Sequence, residues 1–327
     1  MLTGNLYLIT RMPSITDFKP LFSLYNLFNY NKLKHNIPLL KKWGIKKLYF
    51  SSISSDDFKN LQHVEVPWLD SGNSEILLET DPVFKSLPEK FKAPLKKWSE
   101  NGYVILEEFF KENEVSEVNK EVQQLLDTGK VKWRYKNKLM FAVQKSPVLY
   151  KTVVSQQLVN ILSMLLGKKV VLFQSINFYK GSQQAAHSDI VHMTTFPQGY
   201  LIAVWIALED VSEDQGPLFY YPGSHKLPYF LNSDYNHGGD KYFLGNEVYR
   251  NYEKGIEEKI KQQKLVPRVF KAKKGDILIW HANLLHGGSP IINPDSTRKS
   301  MVLHFYVEGV VCYHEISQRP ALLNLIN

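Results

Sequence analysis

The stretch YLIAVWIALEDVSEDQGPLFYYPGSHK, residues 200–226, contains two candidate strands with turn residues between and after them. Its apolar run covers residues 200–208, which is the length of a buried strand and too short to span a membrane. The tetrapeptides DQGP and PGSH are typical of turns. The stretch therefore indicates short strands joined by tight connections.

The chain around this stretch follows the same pattern. Turn signals such as KKGD separate most of the further candidate strands, which are VVLFQSINFY (170–179), AAHSDI (185–190), RVFKAKKG (268–275), DILIWHA (276–282) and SMVLHFYVEG (300–309). Many short strands at this spacing predict an all-β sandwich or barrel, and a jelly roll is the obvious closed form. We expect a mainly β domain with flanking helices around a double-stranded β-helix, or cupin-like, core.

Helices are expected before and inside this strand-rich part. One amphipathic helix has Val115, Val118, Val122, Leu125 and Leu126 on one stripe and Gly129 at its end, and a second helix, SQQLVNILSMLLG, ends at Gly167. APLKKWSENG (93–102) has Pro94 placed as for a first turn, and YVILEEFF (103–110) is expected to be a strand. Residues 231–264 are polar and partly helical, as expected of a lid-like insertion.

The first ninety residues form the least informative part. They offer a strand at NLYLIT (5–10), a helix at 37–43, a strand at KKLYFSS (46–52) and a polar linker at 70–90. We expect residues 1–90 to be an α/β accessory region of unknown role, and residues 91–327 to be the jelly-roll domain.

Composition limits the class of protein. Cys312 is the single cysteine in 327 residues, so we expect no intramolecular disulfide, a reducing compartment such as the cytoplasm, and metal ligands that are nitrogen or oxygen atoms. No secretory signal is recognisable at the start of the chain. The sequence leaves the oligomeric state open.

The formal net charge is +8, and the lysines and arginines occur in clusters. The cluster KVKWRYKNK (130–138) interleaves Trp133 and Tyr135 with cations, as nucleic-acid stacking surfaces do. A basic approach to a pocket for an anionic small molecule is the more economical interpretation. We expect a small-molecule substrate, and neither a nucleic acid nor a membrane as a partner.

A metal site is indicated by AAHSDIVH (185–192). On a strand His187 and Asp189 share a face, whereas His192 points the other way. A third ligand is available in DILIWHANLLHGGSP (276–290), where His286 precedes two glycines and His281 falls on the opposite strand face. Two imidazoles and one carboxylate leave three metal positions open, as in non-haem Fe(II) oxygenases.

Further motifs surround these ligands in a fixed order. They are FQSINFYKGS (173–182), HSD (187–189), VWIALEDVSEDQGPLFYYPGSHK (204–226), KKGDILIWHANLLHGGSP (273–290) and Arg298. Over residues 98–308 or so the chain resembles the phytanoyl-CoA dioxygenase-like family of Fe(II)/2-oxoglutarate-dependent oxygenases.

The resemblance implies site residues and cofactors. The metal ligands would be His187, Asp189 and His286, with Fe(II), 2-oxoglutarate and O2 as cofactors. Arg298 would grip the distal carboxylate of 2-oxoglutarate, with Ser289 as a hydroxyl partner. Other expected contacts are Trp205, Gln174 and Asn177 for the cosubstrate, and His192, Tyr179 and Arg134 for the substrate. Trp280 and His304 are expected to be core side chains, and His281 a structural one.

The reaction implied is the oxidative decarboxylation of 2-oxoglutarate to succinate and CO2, coupled to hydroxylation of a small polar or anionic metabolite. Asp189 fills the metal position that halogenating relatives leave open for chloride, so hydroxylation is favoured over halogenation. Alternatives are desaturation, epimerisation or cyclisation with the same cofactors, and a non-catalytic jelly-roll binding protein or a cupin-like protein with a structural metal.

Overall fold

The computed structural model describes residues 18–61, 64–70, 74–134, 137–237, 239–240, 242–245 and 247–323. The segment NLYLIT, expected to be a strand, lies outside these residues. The strands of the described part are β1 (Tyr103–Leu106), β2 (Lys138–Met140), β3 (Val170–Phe178), β4 (Thr194–Phe196), β5 (Leu201–Ala207), β6 (Leu218–Tyr220), β7 (Arg268–Phe270), β8 (Ile277–His281), β9 (His286–Gly288), β10 (Ser300–Val307), β11 (Val311–His314) and β12 (Arg319–Pro320).

These strands form three sheets. The largest has the order β1-β8-β5-β10-β3-β2, and the two smaller ones have the orders β12-β11-β4 and β7-β6-β9. The pairings within all three sheets are antiparallel. Strands that neighbour each other in space are mostly distant in sequence, so the sheets bring together segments more than a hundred residues apart.

The central sheet is buried on both faces, and strand alternation divides its side chains between two layers. From β5, Ile202, Val204 and Ile206 pack with the helices in the main hydrophobic core. The intervening Ala203, Trp205 and Ala207 pack instead with side chains of β6 and β7 in a second core. Two sheets therefore face each other, and the helices cover the outer side of the larger one.

The helices are α1 (Lys19–Leu27), α2 (Tyr30–Leu33), α3 (Asn36–Lys42), α4 (Ser74–Thr80), α5 (Pro82–Ser86), α6 (Glu89–Lys96), α7 (Trp98–Asn101), α8 (Glu112–Asp127), α9 (Pro147–Val153), α10 (Gln156–Leu166) and α11 (Val248–Gln262). The two amphipathic helices are confirmed as α8 and α10. Ser155 caps α10 by accepting a hydrogen bond from the Leu158 amide, and Gly167 ends it in the left-handed conformation. In the described part of the chain no helix is long and apolar enough to cross a membrane.

Some expectations are wrong in detail. Pro94 lies inside α6 rather than in the first turn of a helix, and β1 ends at Leu106 rather than at Phe110. KKLYFSS forms turns and not a strand, and the expected linker at 70–90 contains α4 and α5. The helix expected at 37–43 is confirmed as α3.

The described residues between 18 and 90 pack against the rest of the chain. Leu69, Leu78 and Phe84 belong to the main hydrophobic core together with α8, α9 and α10. Leu40 and Phe58 pack on Phe196, Val311 and Tyr313 of the small β12-β11-β4 sheet. The described part of this region therefore has its apolar side chains buried against the larger domain.

Candidate active site

The two histidines expected as ligands lie directly opposite each other. The His187 amide donates to the His286 carbonyl, the His286 amide donates to the His187 carbonyl, and both distances are 2.9 Å. This isolated antiparallel bridge puts both side chains on one face, with the ring centroids 4.5 Å apart. The pairing explains how residues 99 positions apart in sequence meet.

A turn of the chain after the bridge places Asp189 beside the two histidines. Residues 185–190 were expected to form a strand, but Asp189–Val191 is a short 3-10 helix, so the chain bends immediately after the bridge. The Asp189 Oδ1 atom lies 3.7 Å from His286 Nε2. One ligand atom from each of His187, Asp189 and His286 lies within 4.8 Å of the others. All three residues are buried.

Backbone carbonyls determine which ring nitrogens are free. His187 Nδ1 lies 2.9 Å from the Ala185 carbonyl, and His286 Nδ1 lies 3.0 Å from the Leu284 carbonyl. A carbonyl oxygen only accepts, so each Nδ1 carries a proton and Nε2 is the ring nitrogen that can bind a metal. His286 Nε2 faces Asp189, and His187 Nε2 lies 3.1 Å from the side-chain nitrogen of Gln184. Such a nitrogen and oxygen set fits a divalent transition metal.

Trp280 and His304 hold the other oxygen of the carboxylate. Trp280 Nε1 donates to Asp189 Oδ2 at 2.6 Å, and His304 Nε2 lies 3.6 Å from the same oxygen. Both side chains are buried, and Trp280 belongs to the second hydrophobic core, as expected. Both also line the cavity that contains the three ligands, which the sequence did not predict. The sequence shows that side chains of β8 and β10 alternate between two faces of the sheet. It does not show which of the two faces lines the metal site.

Electrostatics favour the charge states that a metal needs. Burial, reinforced by the neighbouring His286, lowers the pKa of His187 to about 3, which keeps the ring neutral. Burial opposes ionisation of Asp189, but the imidazoles of His286 and His304 outweigh it and hold the pKa of this carboxyl below its usual range. The site thus presents a carboxylate and a neutral imidazole without prior deprotonation.

A cavity of about 1640 Å³ opens above the three ligands. Arg298 is one of its lining residues and is only 2% exposed. Its guanidinium lies over the rings of Phe178, at 5.5 Å, and Trp205, at 5.7 Å. Within the residues that the structure describes, no carboxylate lies within 4.0 Å of it. Burial lowers the pKa of Arg298, and the more distant Glu209 offsets this only in part. A buried cation without an ion-pair partner is costly unless an anion joins it, and the cavity leaves room for one.

Lys138 is a second cation on this side, and sequence reasoning missed it. Its ammonium lies 5.6 Å from the centre of the Phe178 ring, the same ring that Arg298 covers. Burial lowers the pKa of Lys138. Its position in the basic cluster 130–138 is the signal that could have found it, because the strand pairing with β3 is what turns it inward.

The remaining expected residues divide into two groups. Trp205, Gln174 and His192 line the cavity, whereas Asn177, Ser289, Tyr179 and Arg134 are not among its lining residues. Asn177 follows Gln174 by three positions on β3, so it leaves the opposite face of the strand. Ser289 is half-buried beyond β9, while Tyr179 and Arg134 are exposed.

His192 is turned inward by the 3-10 helix that follows the bridge, and not outward as a continuous strand would require. Its ring lies 5.7 Å from that of His187 and 5.4 Å from that of His314. His281 faces away, as expected, with Nε2 3.1 Å from Asp70. His225 bonds to the Ser99 carbonyl, and Cys312 is buried in the cavity wall.

Comparison with known families gives a match over the larger part of the chain. Residues 98–300 match the family described as phytanoyl-CoA dioxygenase (PhyH). An ectoine dioxygenase of Bordetella bronchiseptica is 25% identical over 248 residues, which cover 68% of this chain and 79% of that protein. A phytanoyl-CoA dioxygenase domain-containing protein 1 of Danio rerio is 34% identical over 94 residues, or 27% of this chain and 32% of that protein.

Solved structures share the fold. The α-ketoglutarate-dependent carbocyclase SnoK from nogalamycin biosynthesis has a TM-score of 0.53 and 18% identity, over 70% of this chain and 87% of its own. EctD from S. alaskensis, crystallised with 2-oxoglutarate and 5-hydroxyectoine, has a TM-score of 0.51 and 22% identity, over 70% and 81%. At these identities the likeness describes the arrangement of strands and helices.

Proposed function

The chain belongs to the phytanoyl-CoA dioxygenase family, and on that premise we propose that it hydroxylates a C–H bond of a small polar or anionic metabolite. It is a 2-oxoglutarate-dependent non-haem iron dioxygenase, and its cofactors are Fe(II), 2-oxoglutarate and O2. In this proposal the facing sheets are a double-stranded β-helix, or jelly roll, formed by residues 91–327. Residues 1–90 are an accessory region whose role is open.

The observation that carries the proposal is the buried set of His187, Asp189 and His286, in which one ligand atom of each residue lies within 4.8 Å of the others. We assign these three residues as the iron ligands. Trp280 orients Asp189 so that Oδ1 remains available for the metal. The unpaired Arg298 is assigned to the distal carboxylate of 2-oxoglutarate, with Trp205 and Lys138 beside it.

The chemistry supplied by the cofactors, when bound, is activation of O2 with conversion of 2-oxoglutarate to succinate and CO2. The protein positions the substrate C–H bond beside the three ligands, which are buried and line the cavity. The polar or anionic character of the substrate is supported by the net charge of +8 and by Arg319 in the cavity wall.

Succinate formation tests the reaction class. Purified protein with Fe(II), 2-oxoglutarate and O2 is expected to form succinate slowly without substrate and faster with the right metabolite. His187→Ala, Asp189→Ala and His286→Ala should each abolish this activity and iron binding, whereas His192→Ala should keep the iron. Absence of both succinate and 2-oxoglutarate binding in the wild-type protein would refute the proposal.

Other outcomes with the same cofactors are separated by the product. Hydroxylation adds one oxygen atom to the substrate, desaturation or oxidative ring closure removes two hydrogen atoms, and epimerisation leaves the mass unchanged. Mass analysis of the product, once a metabolite stimulates succinate formation, therefore decides between hydroxylation and the alternatives.

A further inference from the structure

One wall of the cavity comes from α11, the helix of the 231–264 insertion. Tyr249 and Glu253 both line the cavity from this helix. They are four residues apart, so they lie one above the other on the same face of the helix. This wall comes from the segment that joins β6 to β7.

Tyr249 connects this wall to the metal ligands. Its hydroxyl accepts a hydrogen bond from Gln184 Nε2 at 3.2 Å, and the same nitrogen lies 3.1 Å from His187 Nε2. Its ring is stacked on His192, with centroids 5.5 Å apart and an interplanar angle of 29°. A molecule held against this part of α11 is therefore adjacent to the metal ligands. Arg298 lies instead against Phe178 and Trp205.

Glu253 is the unusual residue of this wall. It is half-buried, and burial raises its pKa. In the part of the chain that the structure describes it has no hydrogen bond and no ion pair. Glu257, which lies one helical turn later on the same side of α11, is paired, since it binds Lys261 at 2.6 Å. A partly desolvated carboxylate without a partner is unfavourable on its own, so a ligand that supplies positive charge would gain from it.

We infer that the substrate carries a protonated nitrogen, such as an ammonium, guanidinium or amidinium group, and that Glu253 binds this group on the α11 wall. This inference deepens the proposed function and rests on it. The Tyr249 ring adds a π face on which a cation is favoured. Any anionic group of the same substrate would point away from Glu253, toward the cationic side chains elsewhere in the cavity. The substrate class is then an amine or a zwitterion such as an amino acid.

The test uses pairs that differ in one protonated nitrogen. L-Arginine and the nearly isosteric L-citrulline differ at the side chain, and L-lysine and Nα-acetyl-L-lysine differ at the α-amino group. Each compound is added to the iron-loaded protein with 2-oxoglutarate and O2, and succinate formed above the substrate-free rate is measured. In at least one pair we expect stimulation by the compound that has the additional protonated nitrogen and none by the compound that lacks it.

Variants locate the effect. Glu253→Gln should raise KM for the stimulating cation about 10- to 100-fold, the usual worth of a hydrogen bond to a charged group. Glu257→Gln is the matched control, because it removes the same charge one helical turn later from a residue that is exposed and does not line this cavity. Glu257→Gln should leave KM for the cation, the substrate-free succinate rate and KM for 2-oxoglutarate unchanged.

Each result is decisive. Equal stimulation by both members of every pair, failure of all the cations, or a Glu253→Gln variant that behaves like the wild-type protein would overturn the inference. Those results are distinct from failure of the proposed function, in which the wild-type protein forms no succinate and binds no 2-oxoglutarate under any condition.

Discussion

At the scale of single residues, Trp280 determines which oxygen of the Asp189 carboxylate is available to bind a metal. Its indole N–H donates to Oδ2 at 2.6 Å in a buried site, which leaves Oδ1 for the metal. Trp280→Phe keeps the ring and removes the donor. Loss of such a partner typically costs 10–100-fold in metal affinity or activity, so we expect iron affinity to fall by about that factor. Metal titration followed by succinate formation measures it.

The control for this variant is Trp68→Phe. Trp68 donates an indole hydrogen bond of the same length, 2.6 Å, to the Met164 carbonyl, far from the metal ligands. The control should lose some stability and keep the iron affinity of the wild-type protein. Equal iron affinities in the two variants would show that Trp280 does not act through Asp189.

Arg298 is the second residue with a separable role. As a buried cation without a carboxylate partner among the described residues it is expected to cost stability, and to be kept for the ligand. Arg298→Met should therefore leave the thermal midpoint equal or higher, while KM for 2-oxoglutarate rises about 100-fold through loss of a charge-assisted, forked contact. Arg298→Lys should restore only part of the affinity.

A matched control for Arg298 is Arg268→Met, since Arg268 makes one hydrogen bond of 3.3 Å to the Tyr103 hydroxyl and does not line the cavity. Its KM for 2-oxoglutarate should equal that of the wild-type protein. A 2-oxoglutarate affinity that survives in Arg298→Met would contradict the assignment of the guanidinium.

The functional residues that the sequence predicts are those identified by a short spacing or by an ordered set of motifs. His187 and Asp189 are two positions apart, and His286 precedes a pair of glycines. These signals are local, so the sequence predicts all three residues as metal ligands. Trp280 and His304 could not be selected, because alternation gives two equivalent faces of a strand. Only the packing of β6 and β7 against the central sheet decides which face looks into the cavity.

At the scale of elements, α11 is attached to the metal loop through Tyr252. This residue is fully buried, and its hydroxyl accepts from the Ser188 amide at 3.0 Å and contacts the Ser188 hydroxyl at 3.2 Å. Ser188 lies between His187 and Asp189, so the helix supports the loop that carries two ligands. Tyr252→Phe leaves a buried N–H without an acceptor, which costs about 1–3 kcal/mol.

The readout that separates positioning from simple loss of stability is the metal. We expect Tyr252→Phe to bind iron more weakly than Tyr235→Phe, which loses a hydroxyl bonded to Asn232 Oδ1 at 2.8 Å in the same hydrophobic cluster. Chemical denaturation of the metal-free proteins gives the stability, and metal titration gives the affinity. Similar iron affinities at similar stabilities would mean that Tyr252 serves packing alone.

Element prediction succeeded where a local signal was complete. The helices α8 and α10 have an apolar stripe and a glycine at the end, and both were found. The strands β2, β4, β9, β11 and β12 have two to four residues each, too few to show a period, and they exist because a distant partner supplies hydrogen bonds. The strand predicted at 185–190 is wrong for a different reason. The alternation of side chains in the sequence continues through Asp189, but the chain turns there into a 3-10 helix.

At the scale of the whole molecule, a buried carboxylate joins three distant segments. Glu315 is fully buried, and it accepts hydrogen bonds from the Ser55 amide, at 3.0 Å, and from the Asn232 amide, at 3.0 Å, as well as from the Ser55 hydroxyl. Glu315→Ala removes the acceptor of all three donors and should lower the free energy of unfolding by about 2–5 kcal/mol. Urea denaturation measures it.

The exposed Glu308, which pairs with Lys169 on the surface, provides the comparison. Glu308→Ala should change the free energy of unfolding by less than about 1 kcal/mol. If the two variants are equally stable, residues 50–60 and the insertion are not held together through Glu315. This junction was invisible in the sequence, which suggested an N-terminal unit apart from the main domain.

Two histidines outside the active site make the stability of the whole chain depend on pH. His35 and His225 are half-buried, and burial lowers the pKa of each to about 4. In the unfolded chain the pKa of each is about 6.5, so between about pH 6.5 and pH 4 the unfolded state binds more protons than the folded one. The free energy of unfolding must then fall as the pH falls through this range.

After allowance for solvent screening, each ring should contribute about 1 kcal/mol of lost stability between pH 7.5 and pH 5. Urea denaturation of the metal-free protein at these two pH values measures the total loss, and His35→Gln and His225→Gln should each reduce it by their own share, because glutamine takes up no proton. The double variant should reduce it by the sum, since the two rings lie in different elements. A loss that is the same in all four proteins would mean that the two rings already bind their protons in the folded state, and that groups at the active site account for the acid sensitivity.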